Sequence, residues 1–284
     1  MKTVAEVIRD KQSHWVGDGF HVKSLFSYGS HGLNVSPFLL LDYASPQDFP
    51  GDGNKRGVGG HPHKGFETVT IAYQGEVQHR DSHGGGGVIG PGDVQWMTAG
   101  AGLLHEEFHS EKFAREGGIF EMVQLWVNLP ARHKGESPRY QTLSCADIPV
   151  VNLAPGVDMR VIAGDFGGTR GPALTFTPVE LWDIKAAAAG SFHVAVPTGH
   201  NVLVLVRSGR FTVGGEMLAS GDLAIMSRDG NELSLETAEP GQLLIMGGEP
   251  IAEPIAGQGP FVMNTQQELQ EAFRAFRQGA YGQL

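Results

Sequence analysis

Two short runs restrict this chain more than anything else in it. His61-Pro62-His63 and His105-Glu106-Glu107 each place two potential metal ligands two positions apart. In a strand successive side chains alternate faces, so residues i and i+2 share one. Two such pairs, one per strand and facing each other across a small barrel, deliver three imidazoles and one carboxylate to a single point. That arrangement is a metal site by geometry as well as by residue type. Glu107 is the fourth donor in this pattern, with Glu106 as its rival.

The surrounding sequence reads as β-structure. His14-Val16, Phe20-Val22 and Phe38-Leu41 read as strands entering a barrel, and residues 44–60 as a Pro/Gly/Asp-rich rim loop. Glu67 to Tyr73 is β-branched and alternating, with Glu76 to Asp81 expected as its hairpin partner. The Gly84–Gly87 run and Pro91-Gly92-Asp93 read as turns, and Val94-Met97 and Phe120-Pro130 as strands. Glycine, at 41 of 284 residues, suits many short strands joined by tight turns.

Composition excludes several classes. The formal charge is −10, and no basic cluster exceeds Lys55-Arg56, so direct nucleic-acid binding is not expected. The lone cysteine, Cys145, rules out an internal disulfide and CxxC zinc motifs, and is expected as a small buried hydrophobe. No run has the length of a membrane span and the first residues lack a signal-peptide core, so a cytoplasmic protein is expected. Closed barrels have few sticky edges, which favours a monomer.

After residues 131–145, read as a linker, the pattern restarts. Leu203 to Gly209 echoes Thr68 to Gly75, and Ser220-Gly221-Asp222 echoes Pro91-Gly92-Asp93. The interval from turn glycine to Gly-Asp is 17 residues in the first copy (75 to 92) and 12 in the second (209 to 221). Aligned on the turn glycines, Ala195 and Pro197 stand opposite His61 and His63, and Asn201 opposite Glu67. The second copy is therefore expected to be metal-free. Thr265 caps an expected helix with apolar positions Leu269, Ala272, Phe273 and Phe276.

His61-Pro-His63-Lys-Gly-Phe-Glu67-Thr-Val and Pro91-Gly-Asp-Val-Gln-Trp-Met-Thr-Ala-Gly100 strongly resemble the pirin family of bicupins. Gln124-Leu-Trp-Val-Asn-Leu-Pro130 and Gly259-Pro-Phe-Val-Met-Asn-Thr265 extend the resemblance over most of the chain. It implies an all-β fold of two tandem cupin (jelly-roll-like) β-barrels with a short C-terminal helix. The division expected is 1–135, the metal-binding barrel, and 136–284, a degenerate barrel with the helix. The family's ligands fall on His61, His63, His105 and Glu107, the four that pairing had selected. The glutamate of the first cupin motif matches Glu67, which is not a family ligand and is expected to serve structurally or to orient a ligand. The stretch Ala99 to His105 departs from the general second cupin motif.

Three imidazoles and one carboxylate suit a divalent metal with open positions. The resemblance favours Fe(II), with Mn, Co, Ni, Cu or Zn as alternatives. It also implies quercetin 2,3-dioxygenase activity on a flavonoid-like substrate with O2, Glu107 being the candidate base. The alternative is a non-enzymatic, redox-sensing metal protein acting through a protein partner. His79, His109, His133 and His200 are expected at the surface or behind the ligands, and His83 has no assigned role. Phe66, Trp96, Met97 and Trp126 are expected as barrel core.

Overall fold

In the computed structural model, which describes residues 1–9 and 11–284, the chain forms two units, each with one seven-stranded and one four-stranded antiparallel sheet. The unit that carries the paired histidines comprises Gln12–Gly32, Phe38–Cys145 and Ile251–Leu284. Its larger sheet runs, in spatial order, Arg139–Leu143, Val94–Thr98, Phe66–Gln74, Gly118–Asn128, Phe38–Phe49, Phe20–Ser27 and His14–Val16. The smaller sheet runs Gly57–His63, Leu103–His109, Val77–Asp81 and Gly86–Ile89. The second unit comprises Met1–Lys11, Leu33–Pro37 and Ala146–Pro250. It repeats both sheets in the same order, with Val4–Ile8 at the edge position that Arg139–Leu143 holds in the first.

The two-barrel architecture is thus as expected, but the chain does not divide at residue 135. Val4–Ile8 hydrogen-bonds to Leu223–Met226 of the second unit. Residues 251–284 belong to the unit that carries the paired histidines, where Phe261, Met263, Leu269, Ala272 and Tyr281 form one apolar cluster. Residues 131–145 are not a plain linker, because Arg139–Leu143 pairs along Val94–Thr98. Nor is Val77–Asp81 the hairpin partner of Phe66–Gln74. It crosses to the smaller sheet and pairs instead with Gly86–Ile89 across the turn at Ser82. Gly86 and Gly87 therefore lie in a strand. Cys145 is exposed rather than buried.

The helix Gln266–Arg277 starts where expected. Thr265 accepts from the Glu268 backbone while Glu268 reaches back to the Thr265 N–H, satisfying two donors that a helix start leaves open. A second helix, Glu111–Glu116, was not evident from periodicity because it is under two turns long. Ser110 caps it, and Gly117 at φ +68° ends it.

The interiors of the two units differ in chemistry. The second is a continuous apolar cluster including Val194, Val196, Val204, Val213, Leu233, Leu235 and Ile245. The first is apolar at one end, where Phe20, Phe49, Phe113 and Phe120 pack around His109, and polar towards the other.

Candidate metal centre

Gly57–His63 and Leu103–His109 are adjacent strands, and His105 stands directly opposite His61 with Leu103 opposite His63. The inward positions of the second strand are 103, 105, 107 and 109, all buried, while 104, 106 and 108 are half-buried on the outer face. The register irregularity here lies in Gly57–His63, where Val58 and His61 stand opposite Glu107 and His105. Leu103–His109 itself runs in regular register along Val77–Asp81, so His105 and Glu107 share the inward face by alternation. Outward-facing Glu106 pairs with Arg80 at 2.6 Å and Lys55 at 3.9 Å.

His61, His63 and His105 converge, with ligand atoms all within 4.8 Å of one another. Their ring centroids are 4.2–4.9 Å apart. His61 Nδ1 donates to the Gly59 carbonyl at 2.9 Å, which fixes the tautomer and leaves the lone pair on Nε2. His63 hydrogen-bonds to the Pro260 carbonyl, and its Nδ1 has no protein partner. His105 is buried and neither ring nitrogen has a partner. Burial, reinforced by neighbouring histidines, holds His63 and His105 well below the usual histidine pKa, so both rings are neutral. Neutral imidazoles with free ring nitrogens are what a divalent cation needs. The triad therefore fits a metal ion.

Glu107 is held from the facing sheet. Gln124 Nε2 donates to its Oε2 at 2.9 Å and Thr70 Oγ1 to its Oε1 at 3.4 Å. Burial raises its pKa, against the pull of His61 and these hydrogen bonds. It borders the triad without belonging to the group converging within 4.8 Å. Thr70 and Gln124 are opposed in adjacent strands, so they share the inward face. Sequence reasoning passed over both; the signal was a polar residue at an inward position of otherwise apolar strands.

Glu67 lies on the other face of its strand from Thr68 and Thr70. It accepts from Thr98 Oγ1 at 2.7 Å, and burial pushes its pKa up to about 7. His79, expected at the surface or behind the ligands, is buried directly opposite Glu107 and stacked on Tyr140 at 4.7 Å. His109 is buried among the phenylalanines and hydrogen-bonds to the Gly19 carbonyl. His133 and His200 pair with Glu136 and Glu180. Phe66 and Trp126 stack at 4.3 Å, and each also contacts the His63 ring.

The second unit supplies an internal comparison. Matching strands by register puts Val194, Val196, Leu233 and Leu235 where the first unit has His61, His63, His105 and Glu107. Val204 and Ile245 replace Thr70 and Gln124. Alignment on turn glycines had selected Ala195 and Pro197, both of which are exposed. That slip of one residue exchanges the faces of a strand. One architecture thus carries an apolar lining in one copy and three histidines with a glutamate in the other.

A pair of such units, one lined with three convergent histidines, defines a bicupin with a candidate metal centre. Comparison with known proteins is more specific. Residues 19–127 match the pirin family and residues 181–282 match the pirin C-terminal cupin domain. The chain belongs to the pirin family. A Pseudomonas aeruginosa protein bearing the provisional name quercetin 2,3-dioxygenase is 53% identical over 282 residues, covering 99% of each chain. The crystal structure of a quercetin 2,3-dioxygenase from Acinetobacter baumannii superposes with TM-score 0.97 at 51% identity, again over 99% of each chain. A bacterial pirin from Escherichia coli, in complex with nickel(II), shares the fold at TM-score 0.65 and 19% identity, over 87% of this chain and 99% of that one.

Proposed function

We propose that the protein is a metal-dependent dioxygenase that opens the central ring of a flavonol such as quercetin. The observation that carries this reading is the convergence of His61, His63 and His105 beside Glu107, with His63 and His105 buried, neutral and holding unpartnered ring nitrogens, on a chain 51–53% identical to proteins named for that activity. His61, His63, His105 and Glu107 are the proposed ligands. Fe(II) is the metal favoured, with Mn, Co, Ni, Cu or Zn as alternatives. When bound, the metal supplies the Lewis acidity that stabilises an enolate oxygen at neutral pH.

The chain's own contribution is placement and proton handling. Glu107 is the candidate base that receives the proton of the flavonol 3-hydroxyl. Gln124 and Thr70 keep its two oxygens oriented while the proton transfers. The stacked Phe66 and Trp126 offer a flat apolar surface beside His63 that excludes water from a planar substrate. In the overall reaction both atoms of one O2 enter the product, and one carbon of the central ring leaves as carbon monoxide.

The test is metal analysis of the purified protein, followed by quercetin consumption with and without air and detection of carbon monoxide. Stoichiometric metal with oxygen-dependent loss of the flavonol and released carbon monoxide supports the reading. Stoichiometric metal without turnover under air overturns it.

A further inference from the structure

All four proposed ligands come from two neighbouring strands of the smaller sheet. These residues face the larger sheet, whose inward face is marked by Thr70 and Gln124 reaching Glu107 and by Trp126 against His63. On that same face stand Thr68, two residues before Thr70, and Gln95, directly opposed to Thr70. Thr68 in turn is directly opposed to Trp126. Directly opposed side chains in a sheet lie about 5 Å apart and diagonal ones about 7–8 Å, so Thr68, Gln95 and Trp126 form one patch.

The polar atoms of this patch are not used by the fold. Thr68 Oγ1, both amide atoms of Gln95 and Trp126 Nε1 are buried without any protein hydrogen-bond partner. Leaving such groups unpaired costs about 1–3 kcal/mol each, so their presence calls for a reason. Packing is not that reason. The register-matched positions in the second unit are Val202, Ala224 and Gly247, in a sheet of identical strand order. The ligands already have their own supports, Gly59 for His61, Pro260 for His63, and Gln124 and Thr70 for Glu107.

We propose that Thr68, Gln95 and Trp126 form a recognition subsite for the oxygen substituents on a planar aromatic substrate, facing the metal ligands. This rests on the dioxygenase reading of the site. An indole N–H donates only, whereas a hydroxyl and a primary amide both donate and accept. Together they match a polyhydroxylated ring system, whose phenol groups donate and accept and whose carbonyl accepts. An aromatic hydrocarbon or a simple carboxylic acid would leave most of the patch unpaired.

The test is anaerobic binding to metal-loaded protein, read from the flavonol absorption band. The probes are quercetin and 3-hydroxyflavone, which keeps the 3-hydroxyl and 4-carbonyl but lacks the other ring hydroxyls. Wild type is compared with T68V/Q95L, whose replacements conserve shape and remove the polar atoms. Losing hydrogen bonds of this kind weakens quercetin binding by about 10–100-fold, with a change of less than about threefold for 3-hydroxyflavone. Metal content and the melting temperature of the metal-free protein, expected unchanged or higher in the variant, show that the fold and ligands are intact. Equal losses for both probes, or no loss for quercetin, overturn the subsite and leave the dioxygenase reading standing. If wild type with full metal binds neither flavonol, the dioxygenase reading fails first and the subsite with it.

Discussion

Replacing His105 by leucine, the residue type at the matching position of the second unit, reverses the stability ranking of variant and wild type according to whether metal is present. His105 is 1% exposed and both ring nitrogens lack partners, so without metal it carries a desolvation cost with no compensating hydrogen bond. Each buried unsatisfied group costs about 1–3 kcal/mol. A near-isosteric apolar exchange costs less than about 1.5 kcal/mol in repacking. The net expectation is about 2 kcal/mol in favour of H105L in the metal-free protein, or about 4–8 °C in melting temperature for a unit of this size. Added metal at about one hundred times its dissociation constant stabilises wild type by about 2.7 kcal/mol and restores its lead, while H105L gains little. The assay is thermal unfolding of both proteins in chelator and then in excess divalent metal, with metal content measured in parallel. H105L melting below wild type in chelator, or gaining as much as wild type from metal, refutes the argument that this histidine is kept for ligation at the expense of stability.

His61→Ala removes one ligand from the triad, and metal content of the purified protein is expected to fall at least about tenfold with activity following it; full occupancy by elemental analysis would remove the site assignment. Gln124→Leu takes away the donor to Glu107 Oε2, and titration with a competing chelator should show metal affinity about 10–100-fold weaker. Glu67 titrates near 7 in the folded protein against 4.5 in its ordinary state, so folding favours its protonated form. Its contribution to stability is present below about pH 4.5 and is lost as pH rises through about 7. Glu67→Gln should therefore melt higher than wild type at pH 8, by an amount that shrinks towards zero by pH 4; a difference constant across that range would contradict the burial argument.

The convergence of the candidate ligands was legible because strand periodicity alone decides which residues share a face, and His61/His63 and His105/Glu107 follow it. Glu107 is less completely legible. The donors Thr70 and Gln124 orient it, and neither follows from spacing. The repeat was legible as a pattern but not in register, since turn glycines fix the hairpins rather than the strand opposite them. Hence Ala195 and Pro197 stood in for Val194 and Val196. His79 and His109 escaped because an isolated histidine in a strand carries no mark of which neighbours will bury it. The division of the chain was hidden for a related reason. Strand order within a sheet is set by pairing between distant segments, and Val4–Ile8 carries nothing that names Leu223–Met226 as its partner.

That division bears on the order of events while the chain is being made. A ribosome releases the N-terminal portion first, and domains generally fold as they emerge. Here the unit that carries the paired histidines cannot complete itself on that schedule. The Pro260 carbonyl accepts from His63 and from the Lys64 N–H, and the Val262 N–H donates to the Lys64 carbonyl. Lys134 donates its ammonium to Gly65, Asn128 and Val262 together. Residues 60–134 must wait for residues 251–284, which are translated after the whole of the other unit. Nascent chains that stall or break before residue 260 would display the three histidines without the partner of His63.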